Sequence, residues 1–119
     1  MHGFFAARAE PPTLSVTLGL DLRVPTGRVN DCCRLIALIN EQLWLGHFEL
    51  WAEDGAVVFR HVLPLIDREE ASPGEIAATL AAAVDSANRF FPAFNFLIWA
   101  GKTPEEAAAA ALFEIVGEA

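Results

Sequence analysis

The chain has 119 residues, 54% apolar and 20% charged, with eight basic against sixteen acidic side chains and a formal charge of −8. That length favours one domain, and the apolar share excludes a disordered chain. The acidity repels phosphate backbones and anionic lipid, so neither nucleic acid nor membrane is an expected partner.

The opening segment MHGFFAARAEPP lacks the basic start and long apolar run of a secretory signal. A cytoplasmic location is therefore expected. GFFAAR can pair back across AEPP as a hairpin with the next segment. In TLSVTLGLDL the residues Leu14, Val16, Leu18, Leu20 and Leu22 alternate with Thr13, Ser15, Thr17, Gly19 and Asp21, the period of a half-buried strand.

Pro25 and Thr26 begin a helix predicted to run to about Trp44. At helical spacing Val29, Cys32, Cys33, Ile36, Ile39 and Leu43 share its apolar face. Leu38 and Leu45 fall on the opposite side, with Leu35 at the margin. The adjacent Cys32 and Cys33 are too close for an unstrained bridge, so both are expected reduced, with one or both in the core. Asn40 falls within the apolar face, where a buried amide needs partners, either a nearby loop or strand end or a ligand. Gly46 suits a helix end.

HFELWAE and AVVFRHVLPLI flank Asp54–Gly55, a hairpin signal. A two-residue loop places Glu49 opposite Arg60 and Phe48 opposite His61. One face then carries Phe48, Leu50, Ala52, Val57, Phe59, His61 and Leu63. The other carries His47, Glu49, Trp51, Val58, Arg60 and Val62. His47 and Glu49 share a face, but His61 lies on the other, so no metal or acid–base cluster is expected. Pro64 marks a strand end or an edge.

SPGE carries Ser72 as N-cap and Glu75 at the third helical position, a capping box. The helix shows Ile76, Leu80, Val84, Ala87 and Phe91 at helical spacing, and Pro92 breaks or kinks it. AFNFLIWAG fits a buried helix or a buried strand; a helix starting at Pro92 and ending at Gly101 is preferred. The most apolar run, Phe91 to Gly101, is about half the ~20 residues a membrane span needs. Thr103 caps a last helix, with Glu105 and Glu106 in its first turn. The order of elements predicts an α+β fold, an antiparallel β-sheet with helices packed on one face.

No nucleophile elbow, phosphate loop or dinucleotide fingerprint occurs, and no catalytic, metal-ligating or cofactor-binding residue is assigned. The stronger signal is apolar surface left after the core is filled. Trp51, Val58 and Val62 on the second sheet face, with Leu38 and Leu45 on the helix's far side, form an expected interface for a second copy or a protein partner. The alternative is a small-ligand pocket or unrecognised enzyme site near Asn40, His61, Trp44, Phe94 and Trp99.

LIALINEQLWLGHFELWAEDGAVVFRHVLPL and ANRFFPAFNFLIWAGKTPEEAAAAALFEIVGEA resemble the YbjN family of bacterial proteins, labelled sensory transduction regulators. The resemblance covers roughly residues 13 to 119 and rests mostly on packing residues. It implies a fold like that of type III secretion chaperones, a commonly dimeric state, and protein binding or regulation, with no catalytic motif to carry over. Family members usually carry a further helix and strand before the hairpin that opens this sequence. A chain without them is expected to expose apolar sheet and an open edge, covered by dimerisation or swapping.

Overall fold

The computed structural model describes the backbone of residues 1–118 and the side chains of residues 1–112. Strands β1 (His2–Ala9) and β2 (Pro12–Arg23) form the opening hairpin. A 3-10 turn (Thr26–Arg28) leads into α1 (Val29–Asn40), followed by β3 (His47–Trp51), β4 (Ala56–Pro64), α2 (Pro73–Ile98) and α3 (Pro104–Glu118). The 4-stranded sheet is antiparallel throughout, in the order β1-β2-β4-β3. This is the expected α+β architecture, with α2 packed on β2 and β4 and with α3 against α1 and α2.

The alternating leucines and valines of β2 point inward as their period predicts, and Val16, Leu18 and Leu20 are buried. Phe48 and Phe59 meet them from β3 and β4, and Phe90 and Phe94 descend from α2. The Phe48 ring centroid lies 5.3 Å from Phe59, 6.0 Å from Phe90 and 5.4 Å from Phe94. Alanines 83, 87, 107, 108 and 111 are buried where α2 and α3 approach their neighbours.

Several boundaries differ from the sequence reading. Helix α1 stops at Asn40, and Gln42 and Leu43 donate to the Ile39 and Asn40 carbonyls in a tightened last turn. Gly46 (φ 71°) therefore opens β3 instead of ending the helix. On α1 the buried residues are Cys32, Leu35, Ile36 and Ile39, whereas Cys33 is exposed. The neighbouring α3, tied by the Arg34–Glu105 ion pair at 3.0 Å, extends the buried arc beyond the sheet-facing stripe. Burial pushes the Cys32 thiol up to about 12, with the adjacent Cys33 adding to the rise.

Helix α2 runs unbroken through Pro92. The residues expected to form a separate helix belong to its last turns. Proline removes one ladder donor but does not end a helix whose two halves are both held by core packing. The buried stripe of α2 is Thr79, Ala83, Ala87, Phe90, Ala93, Phe94 and Leu97, rotated from the expected one, so Ile76 and Leu80 are exposed. Arg28 donates from one guanidinium nitrogen to the carbonyls of Leu97 (2.7 Å) and Lys102 (3.2 Å) at the end of α2, where the helix dipole favours a cation.

Both expected N-caps form, each as a reciprocal capping box. Ser72 Oγ accepts from Glu75 N (3.2 Å) while Glu75 Oε1 accepts from Ser72 N (2.9 Å), and Thr103 and Glu106 repeat the exchange. Arg68 also donates to Glu75 through both terminal nitrogens. The Arg68 guanidinium, then the Ser72 amide, hold the Glu75 carboxyl at about 2, below its ordinary 4.5. A carboxyl depressed by folding stabilises the fold above its unfolded pKa, and that contribution fades as pH falls through the folded value. Glu75→Gln is therefore expected to lower stability at neutral pH and to weaken the acid-induced loss between pH 4.5 and about 2. Urea midpoints of both proteins across that range check this; parallel curves would refute it.

The hairpin at Asp54–Gly55 has a four-residue loop, Ala52 to Gly55, rather than two. Trp51 pairs with Ala56, Leu50 with Val57, Glu49 with Val58, and Phe48 with Phe59. Asp54 Oδ1 accepts from Ala56 N (3.1 Å) and Gly55 turns at φ 72°. The register thus differs by two residues from that expected. A slip of two keeps every side chain on its face, whereas a slip of one would invert them all.

The ladder also fixes where the edge groups point. Leu65 N donates to Pro12 O at 2.9 Å, so these opposed residues occupy a hydrogen-bonded position. Alternation along β2 then turns the backbone groups of Leu14, Val16 and Leu18 toward β4, and those of Thr13, Ser15 and Thr17 toward β1. Phe59, opposite Leu18, spends its groups on β2, so those of its other partner Phe48 face outward from β3. Asn40 meets them there: its Nδ2 donates to Phe48 O (3.2 Å) and its Oδ1 accepts from Phe48 N (2.9 Å).

No comparable plug covers β1 among the described residues. Every residue of β1 is exposed. The radius of gyration is 15.2 Å, whereas a compact chain of this length has about 13.5 Å. The extents of 47 × 38 × 21 Å describe a flattened body with its opening hairpin at one margin.

Candidate functional site

The sheet face turned away from the helices carries the side chains with the most chemistry. Along β3, His47, Glu49 and Trp51 project together because alternate residues of a strand share a face. Glu49 Oε2 pairs with His47 Nε2 at 2.6 Å and lies 3.4 Å from an Arg60 terminal nitrogen, while Glu49 Oε1 accepts from Trp51 Nε1 at 3.1 Å. The Glu49–Arg60 pair is present, but on the diagonal, because the longer loop puts His47 opposite Arg60. Partial burial pushes the Glu49 pKa up, yet the His47 and Trp51 hydrogen bonds and the Arg60 charge outweigh it and leave it below the ordinary value.

These contacts hold the Trp51 indole, which remains 37% exposed. Val62 on the same face is 43% exposed and borders a groove of about 460 Å³ across β1, β2 and β4, with Phe4, Arg8, Thr17 and Arg60. Val58 is corrected from the expected interface set. It is 3% exposed, lying between Gly19 on β2 and Glu49 on β3. Leu38 is likewise half-buried against the core, whereas Leu45 is exposed in the loop after α1. Trp44 beside it is 99% exposed, over a second groove of about 420 Å³ that includes Leu43, Arg89, Phe90 and Leu112.

The residues of the alternative pocket are scattered. Trp44 and Trp99 are exposed, Phe94 is fully buried, and the Asn40 amide is occupied by Phe48. His61 is half-buried on the inner face opposite Val16, and burial, followed by the charge of His47, lowers its pKa. Neither Asn40 nor His61 is fully buried. Among the described residues no three His, Cys, Asp or Glu side chains converge as metal ligands. The His47–Glu49–Trp51 network was open to sequence reasoning, since the i, i+2, i+4 spacing on a strand face is its signal.

A helix-backed antiparallel sheet with one bare face defines an α+β domain whose chemistry lies in flat, partly apolar surface. The chain belongs to the YbjN family, described as "Putative bacterial sensory transduction regulator", which matches residues 1–96. That description names a regulatory role and no reaction. No curated protein and no solved structure matches the chain. Among the described residues no helix is long and apolar enough to cross a membrane.

Proposed function

We propose that this chain is a non-enzymatic cytoplasmic regulator that binds other proteins through apolar side chains outside its core and acts as a homodimer. The observation that carries this reading is Trp51, an exposed indole held in one orientation by Glu49, on the same sheet face that exposes Val62 farther along β4. A pre-ordered aromatic loses little side-chain entropy on binding, and such residues dominate interface energetics. The acidic body keeps the free protein soluble and disfavours nucleic acid.

Capture from native lysate with wild-type and Trp51→Ser/Val62→Ser baits tests the reading. Proteins enriched by the wild type are expected to fall roughly tenfold with the double variant, the loss of about one hot-spot residue. The variant should keep its circular dichroism spectrum and melting temperature. Equal capture by both baits would sink the proposal.

A further inference from the structure

We propose that β1 is the seam of a two-fold dimer, its free edge pairing antiparallel with β1 of a second copy and Ala6 lying on the axis. This rests on the self-binding part of the reading above and supplies its geometry. Because Thr13, Ser15 and Thr17 turn their backbone groups toward β1, their partners Arg8, Ala6 and Phe4 are spent on β2. The N–H and C=O groups of Gly3, Phe5, Ala7 and Ala9 therefore face the open edge.

Residues opposed in an antiparallel ladder share a face, so a two-fold axis normal to the sheet must pass through a residue rather than between two. Charge selects which one. An axis at Phe5 sets His2 against the partner's Arg8, two basic groups. An axis at Phe4 leaves the Ala7 end of the edge largely unmatched. An axis at Ala6 sets Phe4 against the partner's Arg8, a cation over a ring, and brings His2 beside the partner's turn residue Glu10. It also aligns the outward groups, Gly3 with the partner's Ala9 and Phe5 with the partner's Ala7, each a hydrogen-bonded position.

The acidic residues of the chain begin at Glu10, so β1 carries none. Two bodies of charge −8 thus meet at a strand that adds nothing to their repulsion.

In a Cys33→Ser background, which removes the exposed thiol, Ala6→Cys faces itself across the axis. That non-hydrogen-bonded position has a Cα separation of about 4.5 Å, within disulfide range. Under mild oxidation Ala6→Cys is expected to form covalent dimer roughly tenfold faster than Phe4→Cys, which faces Arg8. Ala7→Pro removes an outward N–H without touching the β1–β2 ladder. It should weaken dimerisation in sedimentation equilibrium roughly tenfold while leaving circular dichroism unchanged.

A wild-type protein that stays monomeric at about 100 µM overturns the proposal. So does a dimer in which Ala6→Cys links no faster than Phe4→Cys and Ala7→Pro has no effect. That second result would move self-association to another face and leave the binding role of Trp51 and Val62 standing. Only equal capture by the two baits refutes that role.

Discussion

Phe48→Ala is expected to cost about 3–5 kcal/mol of folding stability, the range for emptying a buried aromatic site. The ring is 2% exposed and sits among Phe59, Phe90 and Phe94, so its removal leaves a cavity bounded by both layers of the fold. The surrounding rings cannot all move inward, because Phe59 is fixed on a central strand and Phe90 and Phe94 on a long helix. Two of the three ring contacts are edge-on, at 71° and 80°, a geometry that adds about 0.5–1.5 kcal/mol per pair beyond area burial. Phe48→Leu should therefore be the milder variant, since it fills most of the volume and loses mainly the ring geometry. Urea or guanidinium denaturation measures both. A loss below about 1 kcal/mol for Phe48→Ala would mean the two layers are not locked together there.

Gly46→Ala is expected to destabilise by about 2–5 kcal/mol, summing left-handed strain of ~1–2 and overpacking of ~1–3. Gly46 holds φ 71°, and a Cβ built on it would lie 2.2 Å from Phe59 Cζ and 2.9 Å from Arg60 O. The strand entry cannot simply retreat, because Asn40 grips Phe48 two residues later. Phe59→Leu removes the atom that the new methyl meets. The double variant is therefore expected to be less destabilised than the sum of its single changes, a coupling visible in a double-mutant cycle. Strict additivity would show that the backbone angle alone carries the cost.

What the sequence made legible was period and punctuation. The alternation in β2, the capping box at Ser72, the N-cap at Thr103 and the face assignment of the β3–β4 hairpin were readable because each depends on residues close in the chain. The family resemblance was readable from packing residues such as those of GHFELW. Less legible were features decided by neighbours distant in the chain. The apolar period of α1 continues to Leu43, but the chain leaves the helix at Asn40. Leu35 is buried because α3 lies alongside, and Pro92 stays inside a helix because the core holds both of its sides. Trp51 and Val62 were identifiable as surface, whereas the burial of Val58 depends on its place on a central strand, flanked by β2 and β3. Asn40 was readable as an amide needing partners, but not as a clamp on one particular strand.

That clamp bears on how far assembly can proceed. A sheet with two open edges can add chains at both ends without limit, the route to fibres. Here the amide of Asn40 occupies the outward groups of Phe48 in the manner of a strand residue, which shortens the free edge of the five-residue β3 and leaves the eight-residue β1 as the longer template. Joining through that side consumes the open edge of both participants and leaves the Asn40-blocked edges outermost. In the proposed dimer growth beyond two copies is thereby disfavoured, and the asparagine works against polymerisation as well as supporting its own strand.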